Sequence, residues 1–320
     1  MVFLKNVALV GATGTVGKYI VQELLKSGNH SITAITRVDS QGSMPDGVKV
    51  TRVDYDSKFS LVSSLKGHQV LIITMSPTAP SDSQQKLIEA AAEAGIPYIV
   101  PNGWGSDSTH ASSDETFLGP GQRAAQKLIE DLGMIWIEFV CGTWYEFSLA
   151  GTSERYGFDF KERSVTFFDD GTARVNVSTW DQTARAVAAV LALDEKKEEG
   201  SDGLALTDLK NKNVYFSSFC ISQKDMFKSV LRVTGTKEED WKITHEVATE
   251  RYKSGVELLM AGNRYGFARA LYTRCFYTEE PGFGSSAYQT RHELYNKALG
   301  LPQEDLDTRT KVAIEMTKEA

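Results

Sequence analysis

Cysteine is scarce in this chain. There are three in 320 residues, Cys141, Cys220 and Cys275. They lie far apart, form no C-x-x-C pair and are odd in number. That excludes a disulfide framework and suits a reducing compartment, with the thiols as small core residues. Histidine is scarce too: His30, His68, His110, His245 and His292 form no ligand cluster with the cysteines, so no metal site is expected. Positive charge is outweighed, with 35 Lys and Arg against 42 Asp and Glu, a net charge of −7. That argues against a surface that coats nucleic acid or binds anionic membrane. No apolar run is long enough to span a bilayer, and no charged n-region followed by an apolar h-region opens the sequence. The expectation is a cytoplasmic protein with neither a nucleic-acid nor a membrane partner. There is no internal repeat. What remains, 41% hydrophobic and 24% charged, is ordinary for a globular protein. The length allows one large α/β unit with an appended lobe.

The stretch that organises the rest is Val7–Gly28. The apolar run Val7-Ala8-Leu9-Val10 reads as a strand buried on both faces. Gly11, Gly14 and Gly17 follow, then Val16, Ile20 and Leu24 at helical spacing, with Gly28 as a stop signal. Strand, glycine turn and helix make the first half of a dinucleotide-binding βαβ unit. Gly11 permits the tight turn, Gly14 lets the backbone approach a pyrophosphate, and Gly17 lets the helix pack close to the strand. The pyrophosphate would meet unpaired N–H groups at the helix N-terminus. Cofactor contacts are therefore expected from Gly11, Thr13, Gly14, Thr15, Val16 and Gly17.

A second strand, Ser31–Thr36, ends at Arg37. NAD enzymes place an acid about 20 positions past the glycines, to bond the ribose 2′-OH. A guanidinium there instead suits the 2′-phosphate of NADP; Asp39, two residues on, keeps NAD as an alternative. The third strand, Val48–Val53, runs into Asp54 and Tyr55, a carboxylate and ring placed to flank an adenine. The fourth, Val70–Thr74, leads into a loop with Ser76 and Pro77, and the fifth, Pro97–Val100, into Pro101-Asn102-Gly103-Trp104-Gly105-Ser106-Asp107. Ligands bind at strand carboxyl ends in open sheets, so Ser76, Pro77 and Asn102 join the cofactor candidates. A polar loop, Ser106–Gly119, contains His110. A helix opening near Pro120 runs through Leu132, and Met134–Val140 is the sixth strand. Strand then helix, six times over, predicts a doubly wound parallel sheet with helices on both faces.

After Val140 the rhythm changes. Gly142-Thr143-Trp144-Tyr145-Glu146-Phe147 is an aromatic loop, and with Ser106–Gly119 it is expected to wall a substrate cleft. Trp104, Trp144 and Phe147 are the expected substrate contacts. Residues 158–176 read as short strands around the turn Asp169-Asp170-Gly171. Trp180–Leu193 is a helix, Asp194–Gly203 a charged surface loop and linker, Asn213–Phe219 a strand and Ser222–Thr234 a helix. Helical periodicity dominates from Glu246, and Asp305–Ala320 reads as a charged amphipathic helix or frayed tail. The expected division is a dinucleotide domain of residues 1–150, to which 171–193 and 213–219 return. A smaller, mostly helical lobe of 151–170 and 220–320 would bind substrate.

With these residues laid out, the chain resembles the isoflavone-reductase-like branch of the NmrA-like family, within the atypical short-chain dehydrogenases. The resemblance rests on Gly11-Ala12-Thr13-Gly14-Thr15-Val16-Gly17, Arg37, Tyr98–Asp107, the Ala125–Ile137 stretch, and Asp169-Asp170-Gly171 followed by Asp181. It covers residues 4–235, and the Pro-Asn-x-Trp-Gly-x-Asp version looks like a fungal subgroup. It implies a Rossmann fold, NADP(H), and either of two functions on one scaffold. One is a reductase of an aromatic or polyketide-like secondary metabolite, with a small aromatic molecule as partner and a homodimer as a possible assembly. The other is a non-catalytic, dinucleotide-sensing regulator. Two departures bear on catalysis. No tyrosine has a lysine four residues on. The lysine this branch carries on the helix before strand six falls, without gaps, on Gln122, which cannot act as a general acid. Lys127 lies about 140° further round that helix. The remaining proton-donor candidates are His110 and Tyr145.

Overall fold

A computed structural model describes residues 3–76, 79–197 and 202–319. The first half runs β1 (Asn6–Val10), α1 (Gly17–Ser27), β2 (Ser31–Arg37), β3 (Lys49–Val53), α2 (Lys58–Leu65), β4 (Val70–Ile73), α3 (Ser83–Ala94) and β5 (Tyr98–Val100). It continues through α4 (Ser112–Glu115), α5 (Gly119–Asp131), β6 (Ile135–Val140), β7 (Thr143–Trp144) and α6 (Tyr145–Leu149). Then come β8 (Phe158–Asp159), β9 (Ser164–Phe168), β10 (Val175–Ser178), α7 (Trp180–Leu191), β11 (Lys212–Tyr215), β12 (Phe219–Ile221) and α8 (Gln223–Thr234). The chain closes with β13 (Lys242–Glu246), α9 (Ala248–Met260), α10 (Tyr265–Cys275), β14 (Thr278–Glu280), β15 (Phe283–Gly284) and α11 (Leu306–Glu319).

Seven strands form one parallel sheet in the order β11-β6-β5-β4-β1-β2-β3. The four residues Val7–Val10 are all buried, as a central strand covered on both faces requires. Leu9, Ile20, Leu24, Phe139 and Val187 pack on one face, where α1 and α7 lie. Ala8, Leu61, Leu87 and Ile129 pack on the other, under α2, α3 and α5. The helix α1 ends where Gly28 adopts φ 68°, its N–H donating to Leu25 O. Strand order reverses between β1 and β4, which opens a crevice at their carboxyl ends.

The strand–helix alternation fails once. No helix joins β2 to β3; residues 38–48, broken by Gly42, Pro45 and Gly47, instead loop back so that Gly42 lies against Thr13. The strand expected over 213–219 is two strands. The chain leaves the main sheet after Tyr215, and β12 pairs antiparallel with β10 in a second sheet, β12-β10-β7. The second core gathers Tyr145, Tyr156, Phe158, Phe227 and Tyr272 between that sheet and the C-terminal helices, and α11 packs on α6 and α8. Part of the expected linker Asp194–Gly203, residues 198–201, lies outside the described residues.

Candidate active site

The glycine turn fixes the site's first wall. Gly11 has φ 80°, and a Cβ there would fall 1.7 Å from the Thr74 carbonyl oxygen. A Cβ at Gly17 would fall 2.1 Å from Gly11 O. Thr74 Oγ1 donates to Val10 O at 2.8 Å and lies 3.1 Å from Gly11 O, and the Gly14 N–H donates to Gly11 O at 2.8 Å. Glycine is thus required at 11 and 17 by close approach, not by flexibility alone. No side chain caps the start of α1. Among the described residues, no acceptor meets the N–H groups of Thr13, Thr15, Val16 and Gly17. Unpaired amides at a helix N-terminus are the chemistry a pyrophosphate needs. The residues present fit a dinucleotide.

Arg37 stands at the end of β2, 71% exposed, its Nε 3.5 Å from Asp39 Oδ1. An exposed pair of this kind is worth about 0–1 kcal/mol, so the guanidinium is available to a phosphate. Tyr55 is half-buried; burial raises its phenol pKa and the Arg37 charge lowers it, which places the two near each other. Asp54 is exposed, and its Oδ1 accepts the Asp56 N–H at 2.9 Å, shaping the turn into α2. Ser76 is exposed at the mouth of the crevice. Pro77 lies outside the described residues.

Three expected site residues turn out otherwise. Asn102 is a clamp: its Oδ1 accepts the Met75 N–H at 2.9 Å, and its own N–H donates to Gln84 Oε1 at 2.7 Å. Its side chain shapes the loop after β4 and is not aimed at a ligand. Tyr145 does not face the crevice. It is fully buried in the second core, its hydroxyl 2.6 Å from Thr310 Oγ1, and burial pushes its pKa well up. A phenol so placed cannot deliver a proton to a substrate. Lys127 is 74% exposed and paired with Asp131 at 2.8 Å on the outer face of α5. The two expected walls also touch directly, the Gly142 N–H donating to Gly105 O at 3.0 Å. Trp104 and Tyr145 follow neighbouring strands at the same end of the sheet, but no cleft opens between Gly105 and Gly142.

The aromatic residues pack as follows. Trp104 donates its indole N–H to Ile73 O at 2.8 Å and stacks on Phe139. Trp144 and Phe147 join Trp180 and Tyr19, two residues past the glycine turn, and the Arg155 guanidinium lies over Phe147. Trp104, Trp144 and Phe147 are each half-buried at the carboxyl edge of the sheet. Gln122 is half-buried too, with Ser106 Oγ 3.4 Å from its Oε1. It therefore sits beside the loop that follows β5. His110 is engaged at both ring nitrogens, with Ser112 Oγ at 2.8 Å and Glu279 at 3.1 Å; burial first, then Arg291, lowers its pKa. Further ties hold that loop to α9 and α10: Arg274 to Glu115 at 2.6 Å, and Tyr252 OH to Glu115 O at 2.9 Å.

Glu138 went unforeseen. It lies in β6 with no exposed surface, and burial pushes its pKa up to about 7. The signal was present as an acid inside the apolar run Ile135-Trp136-Ile137-Glu138-Phe139-Val140. A Cβ at Gly103 would fall 2.5 Å from its carboxyl, so Gly103 in the loop after β5 is glycine to make room for it.

Residues 4–118 match the NmrA-like family model. That match spans 115 of the chain's 320 residues. The chain is 26% identical over 310 residues to oxidoreductase aprR of Aspergillus flavus, covering 94% of this chain and 96% of the relative. It is 27% identical over 202 residues to quinone oxidoreductase 2 of Escherichia coli, covering 62% of this chain and 66% of the relative. Its fold is similar to that of a crystal structure of isoflavone reductase, with TM-score 0.74, 17% identity and coverage of 98% and 99%. It is also similar to a reductase structure holding NADP+ and (+)pinoresinol, with TM-score 0.73, 17% identity and coverage of 98% and 100%.

Proposed function

We propose that this protein is an NADP(H)-dependent oxidoreductase acting on an aromatic or polyketide-like small molecule. The observation that carries it is the turn Gly11–Gly17, whose packing excludes side chains and whose helix-start amides have no partner among the described residues. Thr13, Thr15, Val16 and Gly17 bind the pyrophosphate, Arg37 the 2′-phosphate, and Tyr55 the adenine side. The bound nicotinamide would supply hydride. The chain's own residues orient the partners and manage the proton. Trp104, Trp144 and Phe147 line the apolar side of the carboxyl edge and exclude water. Gln122 and Ser106 hold the substrate oxygen by hydrogen bonds. The proton comes from His110 or from a water that Gln122 and Ser106 position, because an amide has no acidic proton to give. Residues 1–150, with 171–193 and 213–219, carry the cofactor, and 151–170 with 220–320 supply the substrate lobe. Relatives named oxidoreductases and similar folds that hold NADP+ support this reading.

Gln122 supports a second reading, a dinucleotide-binding sensor without turnover. Optical assay of NADPH oxidation with a panel of quinones, enones and aromatic ketones separates the two. The oxidoreductase oxidises NADPH with at least one of them, and Gln122→Ala lowers the rate only modestly. Saturable NADPH binding with no oxidation across the panel assigns the sensor.

A further inference from the structure

We propose that a cavity at the open edge of the main sheet is a second binding site, for a planar aromatic amine. The cavity, of about 900 Å³, lies between α5, the β6–β11 edge and residues 292–298. That volume is in the range of pockets that enclose small-molecule ligands. In the ladder Glu138 pairs with Asn213 and Val140 with Tyr215. Trp136, Glu138, Asn213 and Tyr215 therefore share the α5 face of the sheet. Trp136, Tyr215, His292 and Tyr295 line the space with rings, and His292 lies flat on Tyr215 with centroids 4.0 Å apart. Ring faces accept a planar group and favour a cation against them.

Among the described residues, three acceptors in or near this cavity have no donor; Asn213 lines it, while Asp107 and Glu138 lie next to its lining. Asn213 lines the cavity at 7% exposure; its amide N–H goes to Tyr215 OH, and its Oδ1 has no partner. Asp107 Oδ1 accepts from Thr109 and from Tyr215 OH, while Oδ2 accepts no hydrogen bond and faces His292 Nε2 at 3.4 Å. Glu138 Oε2 accepts from Gln126 at 2.8 Å, and Oε1 has no partner. Buried acceptors left in this state cost stability until a donor arrives. An ammonium group brings three donors for these acceptors and a positive charge that the neighbouring Asp107 side chain attracts. The rim charges, Lys212, Lys297 and Glu293, are exposed and of mixed sign, so solvent screens them. In the sheet β11 is four strands from β1, roughly 19 Å at the usual strand spacing. The edge cavity is thus separate from the glycine turn, though Thr109 and Gln126 of its lining belong to the loop and helix that carry Ser106 and Gln122.

The test is calorimetric titration of the full chain with tyramine and with 4-hydroxyphenylacetate, which replaces the ammonium with a carboxylate. Tyramine is expected to bind saturably, at least tenfold more tightly than the acid, with an affinity that saturating NADPH leaves unchanged. Asn213→Leu, and the more exposed His292→Leu with its fold verified by circular dichroism, are each expected to weaken tyramine tenfold or more. Absence of saturable tyramine binding overturns the proposal, as does equal affinity for the acid, displacement by NADPH, or wild-type affinity in the folded variants. Failure to bind NADPH overturns the oxidoreductase reading and leaves the tyramine result standing.

Discussion

Glu138 holds its proton more tightly in the folded protein than in the unfolded chain, because burial raises its pKa from 4.5 to about 7. Glu146, buried in α6, is raised to about 7 for the same first reason. Between those two values the folded state carries more protons than the unfolded one, so stability falls as pH rises from about 4.5 through 7, then levels. For one such group the loss is on the order of 3 kcal/mol. Glu138→Gln keeps an acceptor for Gln126 and removes the charge. Thermal melts are expected to show the variant above wild type at pH 8, level with it near pH 4.5, and less steep between. Tyr145 gives a different expectation. Its Thr310 partner also bonds Ser229 at 2.7 Å, so Tyr145→Phe costs about 1 kcal/mol of stability and leaves the rate of NADPH oxidation unchanged. Sequence alone pointed to Tyr145 because it follows a strand's carboxyl end; it did not show which way α6 turns that ring. Gly11 and Gly17 were legible, because a backbone approach excludes every other residue type.

At the scale of elements, the loop between β5 and α5 is held from the second lobe. Arg274, nearly buried, reaches Glu115 with both Nε and Nη2, and Glu279 with Nη2. Hydrogen bonds to charged groups contribute about 1.5–3 kcal/mol. Arg274→Met is expected to speed amide exchange across residues 106–119 while β1 and β4 exchange as before; uniform slow exchange in the loop would show that other contacts hold it. The β1–turn–α1 unit, the Pro120 helix start and the Asp169-Asp170-Gly171 turn were readable because short-range chemistry dictates them. Asp169 and Gly171 have φ 53° and 72°, the conformation a turn sequence announces. The break between β11 and β12 was not readable. It depends on partners far along the chain, the Ser217 N–H donating to Asn296 Oδ1 and the Ser218 N–H to Val177 O.

Across the whole molecule, the parallel sheet and its switch point followed from the order of strands and helices, and so did the end of the sheet where ligand should bind. The packing of the second lobe on that end was not legible. Its contacts with Ser106–Gly119 run through Arg274, Glu279 and Tyr252, whose positions are fixed only once both lobes are folded. The central claim is a dinucleotide cradle that reads a 2′-phosphate through Arg37. Fluorescence titration of the wild type and Arg37→Ala with NADPH and NADH tests it most directly. Losing charged bonds worth about 1.5–3 kcal/mol corresponds to roughly one to two orders of magnitude in affinity. The wild type is therefore expected to bind NADPH at least tenfold more tightly than NADH, and Arg37→Ala to abolish most of that preference while leaving NADH binding nearly unchanged. Equal affinity of the wild type for the two dinucleotides would contradict the account.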